Sequence, residues 1–215
     1  MRLILFIILI LFMTSCSSVN DPAENEIEEL IPLEIGNAWV FDHNWNPDEI
    51  MTDTLSVVRD TLIGDNVWYK IESNFSFLNT TLNGYYINHE DGLYSYTGSE
   101  EITNNTLVFK ATDAEKDVFY NDSGSFEWLT TYKGNFINQQ FDVSTKMYSV
   151  EYLTYTFPNI NRSFKVDQSY QFQRIISPKI GFVRWEAGYL SILNDSTLTL
   201  RQRINFELKE FITAD

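Results

Sequence analysis

The clearest pattern in the sequence is a strict alternation of polar and apolar residues near its C-terminus. From residue 197 to 209 the odd-numbered positions are polar or charged, and the even-numbered positions are apolar except Gln202. Successive side chains of a strand point to opposite faces, so this pattern predicts a half-buried β-strand. At about 3.3 Å per residue, a strand over residues 196–211 would be roughly 50 Å long if straight. We therefore expect it to bend or to carry a bulge near Gln202.

The same alternation extends over most of the chain after residue 34. It predicts two further strand faces, formed by Trp39, Phe41, His43 and Trp45, and by Val67, Tyr69, Ile71, Phe75 and Phe77. Turn signals such as Asn83-Gly84 and Asp91-Gly92 separate these runs. Such pairs are typical of hairpins. The pattern predicts a single all-β domain over residues 32–212, an antiparallel β-barrel, half-barrel or sandwich of about ten to twelve strands.

A second long run, Phe141–Phe157, has an irregular phase. Its apolar residues occupy odd positions up to Met147, even positions from Tyr148 to Tyr152, and odd positions again from Leu153. Either bulges change the phase twice, or both faces of this strand are covered.

Charge and composition exclude several classes of protein. Fifteen Lys and Arg stand against 30 Asp and Glu, and the net charge of −15 excludes binding of nucleic acid through its phosphates. One Cys and two His leave no internal disulfide, no thiolate zinc site and no three-histidine metal site. We expect no cofactor. An aromatic content of 15% is far above that of a disordered chain.

The first sixteen residues indicate export. Met1 and Arg2 precede an apolar run of eleven residues, Leu3–Met13, and Cys16 follows shortly after. This run covers roughly 16 Å, about half of a ~30 Å hydrocarbon core, which suits a signal peptide better than a membrane span. The segment ending at Cys16 resembles the lipobox of bacterial lipoproteins, although that family prefers Leu where Met13 stands. A signal peptide cleaved elsewhere and an uncleaved signal anchor are the alternatives.

The lipobox resemblance implies cleavage after residue 15, diacylglycerol on the Cys16 thiol and attachment to the cell envelope. The outer membrane is the expected location, on its periplasmic or surface face. Residues 16–31 are acidic and contain no aromatic side chain, so we expect an extended tether. Because anionic lipid repels so acidic a chain, the acyl chains (palmitate or similar) must hold it at the membrane.

Two short motifs add a second resemblance. Residues 32–39 (PLEIGNAW) and 178–183 (PKIGFV) resemble the P-L-x-x-G-N-x-W opening and the late P-x-I-G-x-V segment of uncharacterised Bacteroidota lipoproteins. That resemblance implies an exported, mostly β domain and carries no catalytic residue or cofactor. Gly36 and Gly181 suit turns or a close backbone approach.

The sequence contains no motif of a known catalytic site. A phosphate-binding glycine loop, a G-x-S-x-G elbow and an H-E-x-x-H helix are all absent. His43 lies between Phe41 and Trp45 on a predicted strand, which favours a hydrogen-bonded core histidine over a catalytic base. Asp113, Glu115 and Asp117 alternate like calcium ligands, but a solvated acidic turn explains them better. Paired carboxylates leave a hydrolase as the weakest alternative.

Aromatic residues are the remaining excess. Packing against neighbouring strands explains many of them. The functional interpretation is a cavity or groove for an apolar ligand, as in lipocalin-like folds. The candidate ligand-binding residues are Trp39, Trp45, Trp68, Trp185, Tyr148 and Tyr152. We therefore expect a non-enzymatic, membrane-anchored binding protein for an apolar small molecule. The alternative is an envelope subunit that docks on an outer-membrane protein or a glycan.

Overall fold

The computed structural model describes residues 29–46, 49–74, 82–112, 114, 117–122, 126–157, 162–166, 170–194 and 196–214. The predicted signal peptide, Cys16 and most of the predicted tether lie outside these residues, as do Phe75 and Phe77 and most of the acidic turn at 113–117. The all-β prediction is confirmed, with thirteen strands in the described residues rather than ten to twelve. No helix in the described part of the chain has the length and apolarity needed to cross a membrane.

The strands in chain order are β1 Ala38–Asn46, β2 Glu49–Ile63, β3 Asn66–Ser73, β4 Gly84–His89, β5 Gly92–Ser95, β6 Thr106–Lys110, β7 Val118–Asp122, β8 Phe126–Asn138, β9 Val143–Phe157, β10 Arg162–Val166, β11 Gln171–Ser177, β12 Gly181–Asn194 and β13 Thr197–Ile212. A single 3-10 turn, Ile102–Asn104, precedes β6.

All thirteen strands belong to one sheet. Its order is β6-β5-β4-β3-β2-β1-β13-β12-β11-β9-β8-β7, and β10 pairs with β9 and β13. Every pairing is antiparallel except that of β10 with β13. The two ends of the sheet meet, because Nζ of Lys110, the last residue of β6, lies 2.8 Å from the carboxylate of Asp117, just before β7. The sheet is therefore rolled into a partly closed barrel.

One apolar cluster fills this barrel. It includes the large buried side chains Trp39, Phe41, Tyr132, Tyr148 and Phe182 from four different strands. Rings contact each other directly in it. The Trp39 ring centre lies 5.3 Å from that of Phe182, edge to face. A flat sheet could not bring these strands to one core, so the curvature follows from the burial of their apolar faces.

The N-terminal boundary of the domain lies earlier than the sequence indicates. Leu30 and Ile31, assigned above to the tether, are fully buried in the main cluster. The Asn88 side chain accepts a hydrogen bond from the Leu30 backbone and donates one to the Ile31 carbonyl. These two residues are part of the folded domain.

The predicted bulge in the last strand is present, one residue from its expected position. Gln202 pairs with Tyr189 and Leu200 pairs with Leu190, so Arg201 has no partner on β12. The irregular run in β9 has both of the predicted explanations. Leu153 is an unpaired bulge opposite β8, and both faces are covered further along, because Thr145 and Ser149 are buried on one face and Tyr148 and Val150 on the other.

Val67, Tyr69 and Ile71 lie on one face of β3, but that face is not buried throughout. Val67 is 43% exposed, whereas Trp68, on the opposite face, is fully buried. The Trp68 ring meets Tyr96 edge to face at 5.4 Å, in the segment that follows β5. This segment covers a face that the alternation alone assigns to solvent.

Five strands close a smaller ring beside the main cluster. β9 pairs with β11, β11 with β12, β12 with β13, β13 with β10, and β10 with β9. Phe164, Phe172 and Leu198 of this ring are buried but do not belong to the main cluster. The domain thus has two apolar regions that share β9, β11, β12 and β13.

Candidate ligand-binding site

A charged side chain lies between the two apolar regions. Phe172, Arg174 and Ile176 alternate on one face of β11, and all three are buried. Ile176 belongs to the main cluster and Phe172 does not. Arg174 is only 2% exposed, opposite Trp185 on β12 and Tyr148 on β9.

The guanidinium of Arg174 has few polar partners. Its carbon lies 3.8 Å from the ring centre of Trp185, a close cation–π contact. One nitrogen donates to the Tyr152 hydroxyl at 3.5 Å and another to the Gln173 carbonyl at 3.3 Å. A guanidinium has five N–H donors, so the described residues use only part of its hydrogen-bonding capacity.

No carboxylate of the described residues forms an ion pair with Arg174. The nearby Glu186 instead pairs with Arg184 at 3.2 Å and with Arg203 at 3.6 Å. Burial lowers the pKa of Arg174 to about 10, and Tyr152 and Glu186 oppose that change. The side chain therefore remains a cation at neutral pH.

The sheet has an incomplete wall next to Arg174. The β11–β12 ladder ends at the pair Arg174–Trp185. Beyond it, the Gln173 amide donates to the Glu186 carboxylate at 2.8 Å, and the Gln171 carbonyl accepts from Arg203 at 3.1 Å. We call this stretch, residues 171–173 together with Glu186 and Arg203, the seam. Side chains close it instead of backbone hydrogen bonds.

Three of the six predicted ligand-binding residues converge on Arg174. Trp185 stacks on the guanidinium, Tyr152 accepts its hydrogen bond, and Tyr148 lies opposite it on β9. Tyr152 also meets Phe172 edge to face at 5.5 Å. Two of these rings thus contact the cation, and the third belongs to its cross-strand neighbour.

Trp39 and Trp68, two of the other predicted residues, do not join this group. Trp39 lies deep in the main cluster and reaches Trp185 only through Phe182, which is 5.8 Å from Trp185. Trp68 lies elsewhere, against Tyr96. The side chain of Trp45 lies outside the described residues.

A polar cleft forms a second concave site where β1 separates from β13. Backbone pairing of these strands ends at His43–Phe206. The cleft beyond has a volume of about 490 Å³. Its lining residues are Asp42, His43, Asn44, Ile50, Gln202, Arg203, Asn205 and Glu207. Asp42 and Glu207 are cross-strand neighbours in it.

His43 is a buried histidine beside this cleft, as the sequence predicts. Its Nε2 atom contacts the Asp53 carboxylate, and its ring lies 4.7 Å from that of Phe206. Both His43 and Asp53 are buried. Burial raises the pKa of the Asp53 carboxyl, and the contact with His43 opposes the rise.

This pair predicts a pH dependence of stability. The folded-state pKa of Asp53 lies above 3.8, so the folded protein binds this proton more tightly than the unfolded chain. Its contribution to stability is full below pH 3.8 and is lost as the pH rises through the raised pKa. We expect Asp53→Asn to gain stability relative to wild type as the pH rises above about 4, measured by urea denaturation. A difference between the two proteins that stays constant or reverses would contradict this.

Sequence reasoning missed Arg174, although a signal was present. Arg174 occupies the same parity as Phe172 and Ile176, so a single cation stands on an otherwise apolar face. No group of three or more His, Cys, Asp or Glu in the described residues could hold a metal ion.

Comparisons with protein-family models, with curated proteins and with solved structures gave no match.

Proposed function

We propose that this protein is a lipid-anchored, non-enzymatic binding protein of the cell envelope that holds an apolar ligand. The observation that carries the proposal is the convergence of Tyr148, Tyr152 and Trp185 beside the seam. The lipobox-like segment ending at Cys16 supports the anchor, and the acidic residues after it support a tether to the envelope.

The seam offers the ligand an entry route that requires little free energy to open. The described β11–β12 ladder does not extend there, so opening the seam breaks side-chain contacts, namely the hydrogen bonds of Glu186 and Arg203 and the packing of Phe172 against Gly188. Arg203 is partly exposed and can move into solvent. Opening the wall elsewhere would break backbone hydrogen bonds and leave buried polar groups without partners.

Short-range fluorescence quenching tests the proposal. A doxyl-labelled stearate added to the full-length protein in lipid nanodiscs should quench tryptophan fluorescence in a saturable way. Trp185→Phe should remove most of that quenching, because a nitroxide quenches only at short range. Trp68→Phe is the matched control, since Trp68 is equally large and buried but distant from the seam. No saturable quenching, or equal effects of the two substitutions, would overturn the proposal.

The polar cleft favours a second candidate, recognition of a glycan. Amide and carboxylate side chains that hydrogen-bond to sugar hydroxyls line it, and Asn205 is exposed there. Asp42 and Glu207 also provide the paired carboxylates of a glycoside hydrolase, and burial raises the pKa of Glu207. Calorimetry with envelope oligosaccharides tests this candidate. Binding lost in Asn205→Ala, or release of reducing sugar lost in Glu207→Gln, would favour it.

A further inference from the structure

We propose that Arg174 binds the acidic group of the apolar ligand, so that the ligand is an alkyl carboxylate. This inference rests on the proposed function, because it places the charged end of the ligand at the seam and its alkyl chain among the neighbouring rings. Nothing in the sequence motifs assigns a role to Arg174.

Arg174 is a buried cation that has no carboxylate partner among the described residues. Moving a charge out of water is costly unless a counter-charge and hydrogen bonds replace the lost solvation. The described ion pairs of Lys110, Arg184, Arg203 and Lys209 all involve carboxylates, and these side chains are partly exposed. Arg174 is the reverse case, because it is buried and its described partners are neutral.

The nearest acid does not serve as the missing partner. The two carboxylate oxygens of Glu186 are engaged by Arg184, Arg203 and the Gln173 amide. Glu186 influences Arg174 only through its electric field. A negative charge on the Arg174 edge would therefore have to come from outside the described residues.

The geometry around Arg174 suits a carboxylate with an apolar chain. The contact with Trp185 holds the guanidinium on one side, and the N–H groups that Tyr152 and Gln173 do not use are available for a bidentate contact. The Tyr152 and Phe172 rings lie 5.5 Å apart next to it and offer contact to methylene groups. The seam opens directly beside this edge.

The test compares two ligands of equal chain length, decanoate and 1-decanol. The full-length protein is kept in a nonionic detergent, and the thermal midpoint is measured with each ligand. We expect saturating decanoate to raise the midpoint by roughly 5 °C and 1-decanol to raise it far less.

Three variants assign the effect to Arg174. Arg174→Met should abolish the rise in thermal midpoint with decanoate. Without ligand, this variant should melt at least roughly 3 °C above wild type, because it removes an uncompensated buried charge. Arg174→Lys keeps the charge but loses the planar fork, and should bind decanoate about tenfold more weakly. Arg162→Met is the matched control. Arg162 also contacts a ring, that of Phe164 at 5.0 Å, but is exposed, so its loss should leave the decanoate shift unchanged.

The remaining outcomes distinguish failure of this inference from failure of the proposed function. Equal shifts with decanoate and 1-decanol would overturn the role of Arg174 and leave the apolar-ligand proposal standing. No shift with either ligand would overturn both. A decanoate shift retained in Arg174→Met would overturn the inference, and so would loss of folding in that variant, because the guanidinium would then be a structural group.

Discussion

Replacing Gly181 by valine should destabilise the domain by at least about 3 kcal/mol. Gly181 begins β12 with φ +75, a conformation that side chains rarely adopt. A Cβ atom there would lie 2.6–2.8 Å from three atoms of the Trp39 indole. Trp39 cannot move away easily, because it is fully buried and its indole N–H donates to the Ile180 carbonyl in the same turn.

Gly98→Val is the matched control for this prediction. Gly98 also has a positive φ, +120, but a Cβ atom there would meet nothing within 4 Å. This variant should show only the backbone strain, about 1 kcal/mol or slightly more. Urea denaturation measures the free energy of unfolding of both variants. The additional loss in Gly181→Val reports the contact with Trp39. Equal losses of stability at the two positions would contradict the packing described here.

Cys16→Ser should release the protein from the membrane or leave the precursor unprocessed. Each buried CH₂ contributes about 0.8 kcal/mol, so two or three acyl chains outweigh the repulsion between an acidic domain and anionic lipid. The domain should fold unchanged, because residue 16 precedes the predicted tether.

Membrane fractionation and the mass of the mature chain test this prediction. Ser18→Ala, two residues further on, is the matched control and should stay in the membrane fraction with the processed mass. A Cys16→Ser protein that sediments with membranes as wild type does, with the same processed mass, would contradict lipidation at Cys16.

The alternation of polar and apolar residues predicted the strands. It did not predict which strand faces are buried where a segment distant in sequence covers them. The alternation in β13 was enough to place its bulge within one residue, because strand length and side-chain parity are local properties. The alternation of residues 67–71 did not indicate that Trp68 is buried, because the segment around Tyr96 that covers it comes from elsewhere in the chain. The burial of Ile31 likewise depends on Asn88, 57 residues away.

The sheet order was also beyond the reach of sequence patterns. β1 pairs with both β2 and β13, and only the first of these pairings joins sequence neighbours. Which strands pair over such distances depends on the whole core, not on any one segment.

The candidate site was predicted in part. Aromatic excess pointed to Tyr148, Tyr152 and Trp185, which do come together, and equally to Trp39 and Trp68, which pack elsewhere. Composition cannot distinguish these cases, because a ring in a core and a ring beside a site have the same sequence signal. Arg174 was missed because a single charge in an alternating strand is ordinarily placed on its exposed face.

Native mass spectrometry of the full-length protein, extracted from its own membrane, tests the central claim most directly. We expect a chain that begins at a lipidated Cys16 and carries one further small molecule, which tandem fragmentation identifies as an alkyl-chain compound. That molecule should be absent from Arg174→Met and retained in Arg162→Met. A protein that carries no small molecule, or one that carries a saccharide lost in Asn205→Ala, would contradict binding of an apolar ligand at the seam.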